Sequence, residues 1–122
     1  MHRFTYDEHQ DPPAPALPLL VAAPGSEEAI LVASLVDTGA DVTLVPLEIA
    51  RRLRLPLVDR LLLEGLGGAV RRAPVHAALV RCAGLRCLTR VVAFDREAII
   101  GRDLLNRFAA LLDGPRLALS IR

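Results

Sequence analysis

The sequence predicts an all-β protein, a sandwich or barrel of short strands interrupted by one or two short helices. Two observations lead there: aliphatic runs of strand length recur along the chain, and turn signals rich in Pro, Gly and Ser punctuate them. A third bounds the answer, because 122 residues make one domain and are too few for two full cores. Hydrophobic residues make up 52% and charged residues 24%, a balance that supports a packed core and not a disordered chain.

The elements follow in order. Residues 1–16 end in Asp11-Pro12-Pro13-Ala14-Pro15, which excludes a helix or a central strand, so an extended arm precedes a single folded unit over residues 17–122. Strands are expected at Leu17–Ala23 and, after the Pro24-Gly25-Ser26 turn, at Ala29–Val36. Further runs lie at Val42–Val45, Leu61–Glu64, Ala69–Arg81, Cys87–Phe94, Ala98–Ile100 and Leu117–Ile121. A helix is expected over Pro46–Leu53, with Pro in its first turn and Leu47, Ala50 and Leu53 on one face. A second is expected over Arg102–Phe108, where Leu104, Leu105 and Phe108 have core spacing. No internal repeat is visible.

Composition removes several functional classes. All 15 basic residues are Arg, but they alternate with 14 acidic ones for a net charge of +1, so no basic face for nucleic acid is expected. Aromatic residues make up 3%, too few for base-stacking platforms. The apolar runs are far below membrane-spanning length and the polar N-terminus is unlike a signal peptide, which predicts a cytoplasmic protein without a membrane partner. Cys82 and Cys87 lack companions for a zinc site, and no metal or other cofactor is expected. They flank Ala83-Gly84-Leu85-Arg86, so a cross-strand bridge is conceivable, although two reduced packing thiols are the simpler reading.

Three segments carry chemistry. In Leu35-Val36-Asp37-Thr38-Gly39-Ala40-Asp41 a carboxylate follows an apolar strand directly, a costly placement unless hydrogen bonds or a role compensate. An Asx-type turn at a strand end is the plainer account. Glu64-Gly65-Leu66-Gly67-Gly68 reads as the tip of a hairpin, either simply a turn or a mobile cover over a site. A phosphate loop is disfavoured, because no Gly-Lys-Ser/Thr follows. Ala98-Ile99-Ile100-Gly101-Arg102-Asp103 reads as a strand running into a helix, with Arg102 expected to have an acidic partner.

In this order the three segments resemble the retropepsin family, the single-domain aspartic proteases of retroviruses and their bacterial relatives, over nearly all of residues 17–122. The resemblance implies a closed acid-protease β-barrel with a glycine-rich flap hairpin, acting on extended polypeptide as a C2 homodimer. Asp37, Thr38 and Gly39 would form the catalytic loop. Ala40, Asp41, Ala98 and Ile99, with Gly65, Leu66 and Gly67 of the flap tip, would contact substrate. Asp41 would also form an ion pair with Arg102, and the strand Leu117–Ile121 matches the family's dimer-interface strand. Two carboxylates sharing a proton are needed to activate water, and one chain supplies a single Asp-Thr-Gly, so dimerisation would be obligatory. Ala40 stands where pepsin-like relatives carry a hydroxyl, which implies activity at mildly acidic pH, about 4 to 6. The alternative is a catalytically silent module that keeps the fold for peptide binding or dimerisation. Two adjacent repelling carboxylates would bring such a module no benefit.

Overall fold

A computed structural model describes residues 1–122, the side chain of Leu66 excepted, and forms ten strands and two short helices. In chain order these are β1 (His2–Thr5), β2 (Ala16–Ala22), β3 (Ala29–Val36), β4 (Leu44–Val45), α1 (Leu47–Arg52) and β5 (Leu57–Glu64). There follow β6 (Val70–Cys82), β7 (Leu85–Ala93), β8 (Ile99–Ile100), α2 (Arg102–Leu105), β9 (Ala110–Asp113) and β10 (Ala118–Ile121).

The main sheet runs β2-β3-β8-β4-β7-β6-β5, and an additional β2–β6 pairing joins its first strand back to its sixth. Six strands therefore close on themselves while β5 extends the sheet as an outer arm. This is the barrel anticipated from the sequence, with its core inside. Leu17, Leu19 and Val21 of β2 alternate inward and are almost fully buried, as are Val80 of β6 and Val91 of β7. The two-residue period of strands produces that alternation. Ala50 and Leu53 of the first helical segment and Leu104 of α2 pack into the same cluster.

A second sheet, β1-β10-β9, covers one end. The segment before β2 is held against the domain, because His2–Thr5 pairs antiparallel with Ala118–Ile121 and Asp7 bridges to Ala14. Ala118, Leu119 and Ile121 of β10 are buried in the domain, whereas Leu111 and Leu112 of β9, at the edge of this sheet, are both exposed.

Four sequence expectations need correction. The second helix stops at Leu105, and tighter turns carry the chain to Phe108, whose N–H donates to the Leu105 carbonyl. The arm β5 begins at Leu57, four residues before the expected Leu61, in a stretch interrupted by a register shift between Leu57 and Asp59. The strand Ala110–Asp113 was not expected at all. Finally, the β6–β7 turn contains only Ala83 and Gly84, so Cys82 pairs with Leu85 and Cys87 with Val80. The two cysteines sit diagonally across the hairpin and not directly opposite each other, and both are free thiols.

Candidate active site: a carboxylate loop braced by arginine

The site forms where two short parallel pairings bring distant chain segments together. Leu35 and Val36 at the end of β3 pair with Ile99 and Ile100 of β8. Both strands then leave the barrel side by side, β3 into the Asp37–Asp41 loop and β8 into Gly101 and α2. The Asp37 N–H donates to the Ile100 carbonyl at 3.0 Å, and the Arg102 N–H donates to the Ala40 carbonyl at 2.9 Å. The loop is thus tied at both ends to the segment that carries the arginine.

Within the loop the chain turns on its own carboxylate. The Gly39 N–H donates to Asp37 Oδ1 at 2.9 Å, and the Ala40 N–H donates to the Asp37 carbonyl at 3.2 Å. Glycine suits position 39 because a Cβ there would meet Asp37 Oδ1 at 3.2 Å, tighter than ordinary contact. Among the described residues no protein donor reaches Asp37 Oδ2. One carboxylate oxygen is therefore fixed and the other is left for solvent or ligand. Asp37 is half-buried, while Thr38 and Gly39 are exposed.

Arg102 spans the loop from below. Its Nη1 donates to the Thr38 carbonyl at 2.7 Å, and its Nη2 is ion-paired and hydrogen-bonded to Asp41 Oδ1. One planar guanidinium thereby fixes the loop at two points, a task its fork geometry suits and an ammonium cannot copy. Asp41 is largely exposed and Arg102 half-buried, so solvent screens the pair and it adds at most about 1 kcal/mol to stability. Its contribution lies in geometry.

A deeper layer was not foreseen from the sequence. Thr43 is fully buried, its Oγ1 donates to Asp103 Oδ1 at 2.7 Å and accepts the Gly101 N–H at 3.2 Å. Asp103 Oδ2 accepts the Thr43 N–H at 3.1 Å. Gly101 must be glycine, since a Cβ would lie 2.4 Å from the Val42 carbonyl oxygen and 3.0 Å from that of Ala40. A hydroxyl inside the apolar run Val42–Val45 was the available signal, but a single Thr is common in strands.

The remaining candidate residues take their places around this centre. Ala98 and Ile99 are half-buried beside β3, with the Leu35 N–H donating to the Ala98 carbonyl at 2.9 Å. Gly65 and Gly67 lie at the tip of the β5–β6 hairpin, whose arms pair from Leu63↔Arg71 to Glu64↔Val70. The intervening backbone makes a tight four-residue turn closed by the Gly68 N–H donating to the Gly65 carbonyl at 3.2 Å, with Gly67 and Gly68 in the left-handed region at φ of +80° and +76°. The side chain of Leu66 lies outside the described residues. Among the described residues no hydrogen bond joins this tip to the Asp37 loop. His76, a lone histidine in sequence, donates from Nδ1 to the Leu55 carbonyl at 2.9 Å and is structural.

Comparison with known proteins agrees with this architecture. The aspartyl protease family model matches residues 28–104, which include the Asp37 loop, the glycine-rich hairpin and the start of α2. Among solved structures, the EIAV protease in complex with the inhibitor HBY-793 is similar at 23% identity and a TM-score of 0.62, covering 85% of this chain and 93% of that one. The retroviral protease-like domain of Ddi1 from Leishmania major is similar at 22% identity and a TM-score of 0.52, covering 87% of each chain. No curated protein matches the chain. With more than half its length inside the family match and a barrel of the same kind, the chain belongs to the aspartyl protease family and has a retropepsin-like fold.

Proposed function

We propose that the protein is an aspartic endopeptidase that cleaves extended polypeptides as an obligate C2 homodimer. The observation that carries this reading is the state of Asp37: Oδ1 is held by the Gly39 N–H and Oδ2 has no protein donor among the described residues. A single carboxylate so presented is half of an acid–base pair. A twofold axis beside the loop would bring the second Asp37 against the first, and the two would share one proton around a water.

The reaction then divides between them. The ionised carboxylate removes a proton from the water as its oxygen attacks the peptide carbonyl, while the protonated carboxyl donates to the carbonyl oxygen. A tetrahedral diol results. The protonated carboxyl then gives its proton to the peptide nitrogen while the ionised one takes a proton from a diol hydroxyl, so that the C–N bond breaks, the new C=O forms and the pair is again singly protonated. Thr38 would bond across the axis to brace the two loops, and the Gly39 carbonyl and Asp41 would engage substrate main chain. Ala40, Ala98 and Ile99 would line a side-chain pocket. The hairpin tip, Gly65 to Gly67 with the Leu66 N–H, would close over the extended peptide as a flap.

The test is cleavage of a peptide library at several pH values and protein concentrations, beside Asp37→Asn and with sedimentation to follow assembly. Cleavage that vanishes in the variant, rises faster than linearly with protein and peaks at mildly acidic pH is the expected result. No cleavage above the variant's background, at concentrations where the protein is dimeric, would reject catalysis and leave a peptide-binding module.

A further inference from the structure

We infer that Arg71 is a specificity-determining residue that selects an acidic side chain in the bound polypeptide. The inference rests on the functional reading above and adds the substrate class it leaves open. It starts from which face of the hairpin turns inward. Leu63, Ala73 and Val75 pack with Val42, Leu44 and Val92, so this face of β5 and β6 lies against the strand that follows the Asp37 loop. Arg71 pairs directly with Leu63 and is two residues from Ala73, which places it on the same face one step nearer the tip. Beyond the apolar cluster, the inward face therefore ends in a guanidinium.

A rigid platform holds that cation. The Arg71 guanidinium carbon lies 4.9 Å from the centroid of the Phe94 ring, within cation–π range. Phe94 is fixed in turn, its N–H donating to the Val45 carbonyl at 3.0 Å and its carbonyl accepting the Glu97 N–H at 3.1 Å. From Phe94 the chain runs through exposed residues 95–97 to Ala98 and Ile99 at the edge of the Asp37 loop. Arg71 thus stands between the glycine-rich tip and a rim of the candidate site.

Its charge is uncommitted. The ion pairs among the described residues are His9–Asp7, Arg102–Asp41 and Arg116–Asp113, so neither Asp95 nor Glu97 nor any other described carboxylate neutralises Arg71. Stacking on an aromatic face leaves the edge N–H groups of a guanidinium free to bind a carboxylate in a bidentate manner. A polypeptide lying extended under the hairpin would place alternate side chains toward its inner face. A Glu or Asp at the position beneath Arg71 would supply the missing partner.

The experiment compares peptide pairs that differ by Glu or Gln at each position, using the wild-type chain, Arg71→Gln and Arg71→Glu. Cleavage is read as kcat/KM, and binding is read separately on Asp37→Asn by fluorescence polarisation at low and high salt. At one position the wild type is expected to favour Glu by about tenfold, with the preference abolished in Arg71→Gln and reversed in Arg71→Glu. Salt should weaken it in parallel. A Glu-to-Gln ratio unchanged by either substitution, in a chain that cleaves or binds these peptides, would overturn the inference alone. Binding with the Glu preference but without cleavage would uphold it while overturning catalysis. Neither cleavage nor binding of any peptide would overturn both.

Discussion

Asp103 grips Thr43 twice, its two carboxylate oxygens taking the backbone N–H at 3.1 Å and the side-chain hydroxyl at 2.7 Å across sixty residues of sequence. The same hydroxyl accepts the Gly101 N–H, so one buried Thr locks β4 to the turn that delivers Arg102. The Asp37 loop rests on this lock at one remove, through the Arg102 contacts to Thr38 and Asp41.

Thr43→Val keeps the shape of the side chain and removes the hydroxyl. Gly101 N–H then loses its acceptor in a buried site, and Asp103 Oδ1 loses its hydroxyl donor. The cost should be about 2–3 kcal/mol, because an unsatisfied buried donor loses its hydration with nothing in exchange. Thr43→Ser should retain most of the stability, missing only a methyl group. Urea unfolding of the three chains separates the hydroxyl from the methyl, and equal losses in both variants would refute the account.

Gly101→Ala should be more damaging still. The obstacle is the carbonyl of Val42, at 2.4 Å from the new Cβ, and backbone cannot swing aside as a flexible side chain can. Separation of β4 from the strand–helix corner would be required, so a loss above about 3 kcal/mol or failure to fold is expected. Gly65→Ala provides the contrast, since no atom lies within 4 Å of a Cβ there and the backbone is extended. Its stability should stay within about 0.5 kcal/mol of wild type. Thermal melts of both variants check the difference.

Much of this was legible in the sequence because its signals are local. Aliphatic runs bounded by turn signals mark β2, β3, β6 and β7, and Pro46 and Gly101 mark the starts of both helices. The Asp37 loop and the Arg102 segment were also visible as motifs. What escaped depends on pairing between distant segments. Ala110–Asp113 contains Ala and Leu, which favour helices, yet becomes a strand by pairing with β10. His2–Thr5 is short and polar and becomes a strand because Ala118–Ile121 offers its other edge. The Thr43–Asp103 contact joins two unremarkable residues that only the β3–β8–β4 arrangement brings together.

Arg102→Lys tests whether geometry or charge matters in the brace. Lys keeps the positive charge and could follow Asp41, but one ammonium cannot also hold the Thr38 carbonyl in the same plane. Since solvent reaches both partners, Asp41 above all, stability should fall by less than about 1 kcal/mol. Peptide cleavage should fall by about tenfold or more, because the carboxylate loop is then positioned less well. A chain equally stable and equally active would show that the brace is incidental.

The cysteines should differ sharply in reactivity. Burial in the barrel first, and then the neighbouring Cys87, push the Cys82 thiol up to about 11. Thiolate is the reactive form, so Cys82 should resist iodoacetamide at pH 8 while the half-buried Cys87 reacts, and both should label once urea opens the fold. Mass spectrometry of the two cysteine peptides reads this directly. The same shift has a consequence for stability. Below pH 9 the thiol is protonated in both folded and unfolded chains and favours neither. Between about 9 and 11 the unfolded chain releases its proton while the folded chain retains it, so unfolding gains and stability falls. Cys82→Ala should lose stability at neutral pH through its cavity but show a shallower decline across that interval. Equal slopes in the two chains, or rapid labelling of Cys82 in the folded protein, would contradict a thiol sealed in the core.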